Sequence, residues 1–429
     1  PVTSLARQFG RHDSYTPDAL DVDLGRQLIL DTVRPITGSE RLPLCSALGR
    51  VLAETILSPI AVPAHDNSAM DGYGLRADDL AADGDTTLEI AGTALAGQPF
   101  NGSLQPGQCV RIMTGARVPA GVDTVVMQEV AHAAAGRVTL PPGQRKGQNI
   151  RRAGEDLRAG TPALPAGRLI RPAELGLIAS LGIGNVAVRR RLRVAFFSTG
   201  DEIVSIGNAA REGQIYDSNR YTLLGMLTRL GFEVIDIGVV RDDPHTLETT
   251  LRDAATRADA IITSGGVSVG EADFTREVMA RLGEVLFWKI AMKPGRPLAF
   301  GRIGQPDAEG DGGAWLFGLP GNPVAAMVAF YQFARPALLR LAGVDPVAEP
   351  PLLQVGCTQA IRKAPGRTEF LRGVLFRDGA DWKVRTTGPQ GSGLLSSMAD
   401  ANCFIVLGQT QGNVAVGELV QVQVLDGIV

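Results

Sequence analysis

The sequence is short of cysteine, of surplus charge and of long apolar runs, and each shortage excludes something. Four cysteines, Cys45, Cys109, Cys357 and Cys403, are scattered through 429 residues without the paired spacing of a zinc site or the density of a secreted disulfide scaffold. They read as buried free thiols. Lys and Arg number 42 against 45 Asp and Glu, a formal net charge of −3. Such a balance gives no whole-protein electrostatic footprint for nucleic acid or an anionic membrane, so any anionic ligand must be held locally. No apolar run reaches the ~18 to 20 residues needed to span a bilayer, and PVTSLARQFGRH at the start lacks the apolar stretch of a signal peptide. The expected address is the cytoplasm. Pro1 reads as a trimmed start, and neither an internal repeat nor a low-complexity tract is found.

What is present is an ordinary globular composition, 45% apolar and 20% charged. The length exceeds what one core organises, so roughly two to four domains are expected. Between Pro17 and Pro35, Leu24, Leu28, Ile29 and Val33 recur at helical spacing. Short β-type runs (LEIAGTAL, CVRIMTG, DTVVMQEV) follow, punctuated by Gly and Pro. A second helical stretch, Pro172 to Leu181, is expected to pack with the first. From about Arg193 to Ala342 strands and helices alternate, the pattern of a doubly wound parallel sheet. Within it, the segment IGQPDAEGDGG reads as an exposed loop. After Val344 short strands return (QVGCTQAIR, TEFLRGVLF, WKVRTTG, CFIVLGQ, LVQVQVL). The expected division is a discontinuous helical linker domain (1–57 and 149–190), a small mainly β domain (58–148), an α/β domain (191–344) and a C-terminal β-barrel-like domain (345–429).

Ligands of doubly wound sheets bind at the carboxyl ends of the strands. There the sequence places Thr199-Gly200-Asp201-Glu202, then Arg241-Asp242-Asp243-Pro244, then the Gly-rich run Ser264-Gly265-Gly266-Val267-Ser268, with Asp273 after it. Lys289, Lys293 and Arg296 follow the strand EVLFWKI, and Pro320-Gly321-Asn322-Pro323 follows WLFGL. Glycines that admit phosphate oxygens, carboxylates for Mg²⁺ and neutralising cations are what phosphoanhydride chemistry requires. Each element alone also has a plain structural reading: a tight βα turn, a helix N-cap, a solvated charge. In the β region, PAHDNSAMDGYG could be a turn held by Asx hydrogen bonds. There Thr114 lies just past a strand, and Asp156 lies in a charged Gly-containing run.

In order along the chain stand HDNSAMDGYG, VRIMTGARVPAGVDTVVMQE, NIRRAGEDLRAG, STGDEI, QIYDSN, TSGGVSVGEADF, MKPGRPLAFG, LPGNP and QGSGLLSSMADAN. By these motifs the chain resembles the MoeA-type molybdopterin molybdotransferases, which include the E domain of gephyrin. The resemblance implies a four-domain protomer acting as a homodimer that uses Mg²⁺ to insert molybdate into adenylylated molybdopterin, with release of AMP. It marks Asp71, Thr114, Asp156, Glu202, Asp242 and Asp273 as catalytic, with Glu202, Asp242 and Asp273 handling the metal. It assigns substrate binding to Ser264, Gly265, Gly266, Ser268, Lys289, Lys293, Arg296, Pro320, Asn322, an arginine of GRTEFLR (Arg367 or Arg372) and Ser392. Transient contacts with the adenylyltransferase and with molybdoenzymes are implied; a nucleic-acid or membrane partner is not. His65, Gly74 and Ala325 depart from the family's usual Phe, Ala and Ser. Two rivals remain. One is a molybdopterin adenylyltransferase, usually a single domain; the other is a gephyrin-like scaffold, for which no fused second catalytic domain or long linker is seen.

Overall fold

The computed structural model describes residues 4–10, 15–266, 273–304 and 312–425. The chain folds as two compact units. The smaller comprises 54–166 and 172–185, and the larger holds the remaining segments.

The smaller unit is built on a six-stranded sheet of β1 (Gly72–Leu75), β2 (Thr86–Ala94), β3 (Gln108–Ile112), β4 (Thr124–Met127), β5 (His132–Ala134) and β6 (Arg137–Leu140), in the order β4-β1-β3-β2-β6-β5. Burial alternates along β2, as expected of a sheet covered on one face. Tyr73, Leu88, Cys109, Val126 and Val138 fill part of its core.

The larger unit contains the α/β domain. Its strands are β7 (Arg193–Thr199), β8 (Glu233–Val240), β9 (Ala260–Ser264), β10 (Gly283–Lys289), β11 (Pro297–Ile303) and β12 (Ala314–Leu319), in the order β8-β7-β9-β12-β11-β10. The first four in that order are mutually parallel, whereas β11 runs antiparallel to both β12 and β10. The sheet is therefore mixed at one edge, where the sequence pattern suggested a parallel one. Along β7, Val194 and Phe196 enter one core, while Ala195 and Phe197 enter another with Leu247 and Leu251. That two-residue alternation into two cores is the doubly wound arrangement. Helix Val22–Thr32, capped by Asp21, buries Leu28 and Ile29 in the first core beside Phe333 and Leu338.

The five late apolar runs form β13 (Leu352–Cys357), β14 (Thr368–Asp378), β15 (Asp381–Thr386), β16 (Cys403–Leu407) and β17 (Leu419–Val424). Pairing runs β14-β15-β13-β17-β16, and β16 pairs back to β14, which closes a five-stranded barrel around Leu371, Val384, Ile405 and Val422. Closure leaves no free sheet edge among these five strands. The short strand Met292–Lys293, which follows β10, pairs with the start of β14. It ties the α/β loop that carries Lys293 to the barrel. The acidic loop expected within IGQPDAEGDGG falls at 305–311, outside the described residues.

Candidate active site

A cleft of about 640 Å³ opens at the carboxyl ends of β7, β9 and β12. It is lined by Glu202, Asp242, Ser264, Gly265, Gly266, Lys293, Pro320, Asn322 and Ser392 among the residues singled out in the sequence. Local chemistry explains their placement. Asp243 caps helix Pro244–Arg257 by accepting from the Thr246 N–H at 2.9 Å, and Pro244 opens that helix. This leaves its neighbour Asp242 on the cleft wall. Gly265 and Gly266 have φ of +93° and +69°, and a Cβ on Gly265 would lie 2.5 Å from the Thr199 carbonyl oxygen. Only glycine lets the turn pass that close.

The floor is polar and buried. Asp217 caps helix Ser218–Arg229; its Oδ1 accepts from Ser198 Oγ–H at 2.9 Å and from the Arg220 N–H at 3.0 Å. Asn219 Nδ2 donates to Ser264 Oγ at 2.6 Å and to the Gly321 carbonyl at 2.7 Å, clamping the Gly-rich turn to the Pro320–Asn322 turn. Thr199 Oγ1, Asp217 Oδ2 and Asn219 Oδ1 are buried without hydrogen-bond partners among the described residues. Buried orphans of this kind are uncommon, and here they gather under one cleft, which suits a polar ligand. The sequence places Thr199 at a strand end and Asp217 and Asn219 in the motif QIYDSN, but it assigns none of the three a role. The available signals were a hydroxyl just past a strand and the helix-start pattern Asp-Ser-Asn.

Other expected residues lie elsewhere. Lys289 donates to Asp18 at 2.7 Å and holds that carboxyl below the usual carboxylate range, with the Arg296 charge acting in the same direction. Arg296 and Arg367 are exposed and do not line the cleft. Arg372 is fully buried and points to backbone carbonyls, not into the cleft, and burial pushes its guanidinium below the usual arginine range. Lys293 is half-exposed at the cleft and 3.6 Å from the buried Glu369 carboxylate. Ser268 and the side chain of Asp273 lie outside the described residues.

In the smaller unit, Asp71 and Thr114 form a hydrogen-bonded pair. Nearby in sequence, Asp66 accepts from the Ala153 N–H and from Arg152. The N–H of Asp156 donates to the Val62 carbonyl.

Glu202 and Asp242 suit Mg²⁺, which favours one or two carboxylates and completes its shell with water and substrate phosphate. No group of three or more His, Cys, Asp or Glu positioned to hold a metal ion occurs among the described residues. No helix among them is long and apolar enough to cross a membrane.

Three family models match the chain in order. They are the MoeA N-terminal region (domain I and II) over 20–182, a probable molybdopterin binding domain over 195–340, and the MoeA C-terminal region (domain IV) over 354–425. A molybdopterin molybdenumtransferase of Haemophilus influenzae is 44% identical over 94% of this chain and 98% of its own length. One from Nostoc is 37% identical over 86% of this chain and 85% of its own length. Among solved structures, a molybdopterin biosynthesis MoeA protein of Pyrococcus horikoshii matches with a TM-score of 0.79 at 26% identity, covering 95% of this chain and all of its own.

Proposed function

The chain belongs to the MoeA family of molybdopterin molybdenumtransferases, and from that premise we propose a Mg²⁺-dependent insertion of molybdate into adenylylated molybdopterin, with release of AMP. The observation that carries this reading is the cleft, where two carboxylates, a Gly-rich turn, a cation and a hydroxyl meet at one sheet edge. In this reading the backbone of Ser264, Gly265 and Gly266, with Ser268, receives phosphate oxygens, and Pro320 and Asn322 line the adjoining turn. Glu202, Asp242 and Asp273 hold Mg²⁺, which when bound offsets charge on the phosphoanhydride as it breaks. Lys293 faces the oxyanion, while Lys289 and Arg296, which lie outside the cleft lining, contribute positive charge only at longer range.

We further infer a cytoplasmic homodimer in which Asp71, Thr114 and Asp156 of one copy serve the cleft of the other, and a four-domain division with boundaries near residues 57, 148, 190 and 344. The dimer reading predicts that mixing inactive Asp71→Asn and Glu202→Gln proteins restores part of the activity, since mixed dimers carry one intact composite site. No recovery despite demonstrated subunit exchange would refute it.

The decisive experiment incubates the pure protein with adenylylated molybdopterin, Mg²⁺ and molybdate. AMP release should accompany activation of a cofactor-free molybdoenzyme. Formation of adenylylated molybdopterin from ATP, with no AMP release from it in the presence of molybdate, would instead identify an adenylyltransferase.

A further inference from the structure

The α/β sheet has a second cavity at its other end. The cleft lies at the carboxyl ends of β7, β9 and β12, whereas Arg193, Asp259 and Trp315 stand at the amino ends of the same three strands and line a cavity of about 350 Å³. Five or six strand residues at ~3.3 Å each separate the two by roughly 16–20 Å. The wall of this second cavity is built of arginine. Arg34, Arg190, Arg193 and Arg302 line it, and Asp259 is the single acidic residue among its described lining residues. The Asp259 carboxylate accepts from Arg190 Nη1 at 2.7 Å, from Arg190 Nη2 at 2.8 Å and from Arg193 Nη2 at 3.1 Å. Burial acts to raise this carboxyl, but the hydrogen bonds from Arg190 and Arg193 prevail and hold it below the usual carboxylate range. It fixes two guanidiniums on the wall. A third, Arg302, lies 5.4 Å over the Trp315 ring, which stacks in turn on Phe300.

The fold itself accounts for part of this charge. Helices Val22–Thr32 and Pro244–Arg257 both end beside the cavity, which Thr32, Thr256 and Ala258 line. Each helix C-terminus presents a partial charge of about −0.5, which nearby cations offset. Arg34 does so directly, its Nη1 donating to the Asp31 carbonyl at 2.7 Å and the Val33 carbonyl at 3.4 Å. A surplus nevertheless remains. Four positive charges, less one for Asp259 and about one for the two helix ends, leave about +2 among the described lining residues. Donors remain as well. Arg34 is exposed and Arg193 is 40% exposed; Arg34 Nη2 and Arg193 Nη1 donate to no acceptor among the described residues.

We propose that this cavity binds the phosphate group of a small phosphomonoester, with Arg34 and Arg193 donating to its oxygens and Arg190 and Arg302 supplying surrounding positive charge. A phosphomonoester carries a charge of about −1.5 to −2 at neutral pH, which matches the surplus. Arginine suits the task, because its planar fork fits phosphate geometry where a lysine ammonium offers a single point. The cavity is larger than a bare phosphate needs and falls within the range of small-ligand pockets, which favours an ester over the free ion. This site stands apart from the cleft and does not depend on the molybdate-insertion reading.

The test is calorimetric titration of the full chain with ribose 5-phosphate and, separately, with inorganic phosphate. Ribose 5-phosphate should bind saturably, and Arg34→Gln and Arg193→Gln should each weaken it at least about tenfold, as expected from losing a charge-assisted hydrogen bond. Lys293→Met, a change in the cleft, should leave this binding in place. Arg34→Gln spares the fold, since Arg34 bonds only to carbonyls of its own turn, and Arg193→Gln keeps the Arg190–Asp259 pair. Binding should also alter tryptophan emission through Arg302, and Trp315→Phe should abolish that change while the calorimetric signal persists. Tighter binding of ribose 5-phosphate than of inorganic phosphate supports the ester; equal affinities overturn that choice and assign the cavity to the free ion. Titrations that superimpose for wild type, Arg34→Gln and Arg193→Gln, or binding lost only in Lys293→Met, overturn the site itself. No turnover enters these measurements, so they judge the cavity whether or not the protein inserts molybdate.

Discussion

Thr114 gives both its backbone N–H and its hydroxyl to one oxygen of Asp71, Oδ1, each at 2.7 Å. The two donations, the backbone one being the larger influence, hold the Asp71 carboxyl below the usual carboxylate range. A depressed carboxyl stabilises the pair fully at neutral pH, and this contribution is lost only as pH falls through the lowered value. Thr114→Val removes the hydroxyl and leaves the N–H. The Asp71 titration followed by NMR should move up toward the usual range without reaching it, and an unmoved titration would refute the arrangement.

Gly200 governs where Glu202 can lie. A Cβ at position 200 would sit 2.7 and 2.8 Å from the two Glu202 carboxylate oxygens, and φ there is +146°. Gly200→Ala should therefore push the Glu202 carboxylate aside and add backbone strain on the order of 1–3 kcal/mol. Half-saturating Mg²⁺ for AMP release should rise several-fold, and the melting temperature should fall by a few degrees. A fall in melting temperature with unchanged Mg²⁺ dependence would remove Glu202 from metal handling.

The cysteines divide by burial. Burial pushes the Cys109 and Cys403 thiols up to about 12, so at pH 8 only about one part in 10⁴ of each is thiolate, the reactive form. Cys357 is also buried, and its thiol donates to the Gln359 carbonyl at 3.1 Å. Cys45 is exposed. A thiol-reactive dye at pH 8 should label Cys45 rapidly in the native protein and all four cysteines in guanidinium. Fast native labelling of Cys109 or Cys403 would contradict the packing of its core.

Much of this was legible in the sequence because its causes are local. Strand alternation, the Pro244 helix start and the glycines of the turn after β9 are written within a few residues of where they act. The direction of β11 was not legible, since an apolar run reads alike in a parallel or antiparallel strand. Nor does the sequence separate Asp242 from Asp243; the hydrogen bond to Thr246 does. Arg372 is the sharpest case. Its position in a resembling motif named it beside Arg367 as an oxyanion contact, but whether an arginine meets a ligand or a turn of backbone depends on partners 17 to 19 residues away.

Ala325 offers a gain-of-function test of the cleft. It lines the cleft in the first turn of helix Pro323–Ala329 and is 4% exposed; the motif resemblance implies a serine at this position. Lys293 and Ser392 line the same cleft, and a serine hydroxyl at 325 adds a donor for an oxyanion bound there. One neutral hydrogen bond is worth about 0.5–1.5 kcal/mol, roughly a two- to twelvefold gain in affinity. A competing acceptor lies one helical turn back, because a serine in a helix can donate to the carbonyl four residues earlier. That carbonyl belongs to Gly321 and already accepts from Asn219 Nδ2 at 2.7 Å, which weakens the competition. Ala325→Ser should therefore lower half-saturating molybdate by a few-fold. Lys293→Met, which removes a charge at the same cleft, should raise it by far more. Calorimetric titrations in which neither substitution alters molybdate binding would move the oxyanion off this wall, and the search would turn to the carboxylate side of the cleft around Glu202 and Asp242.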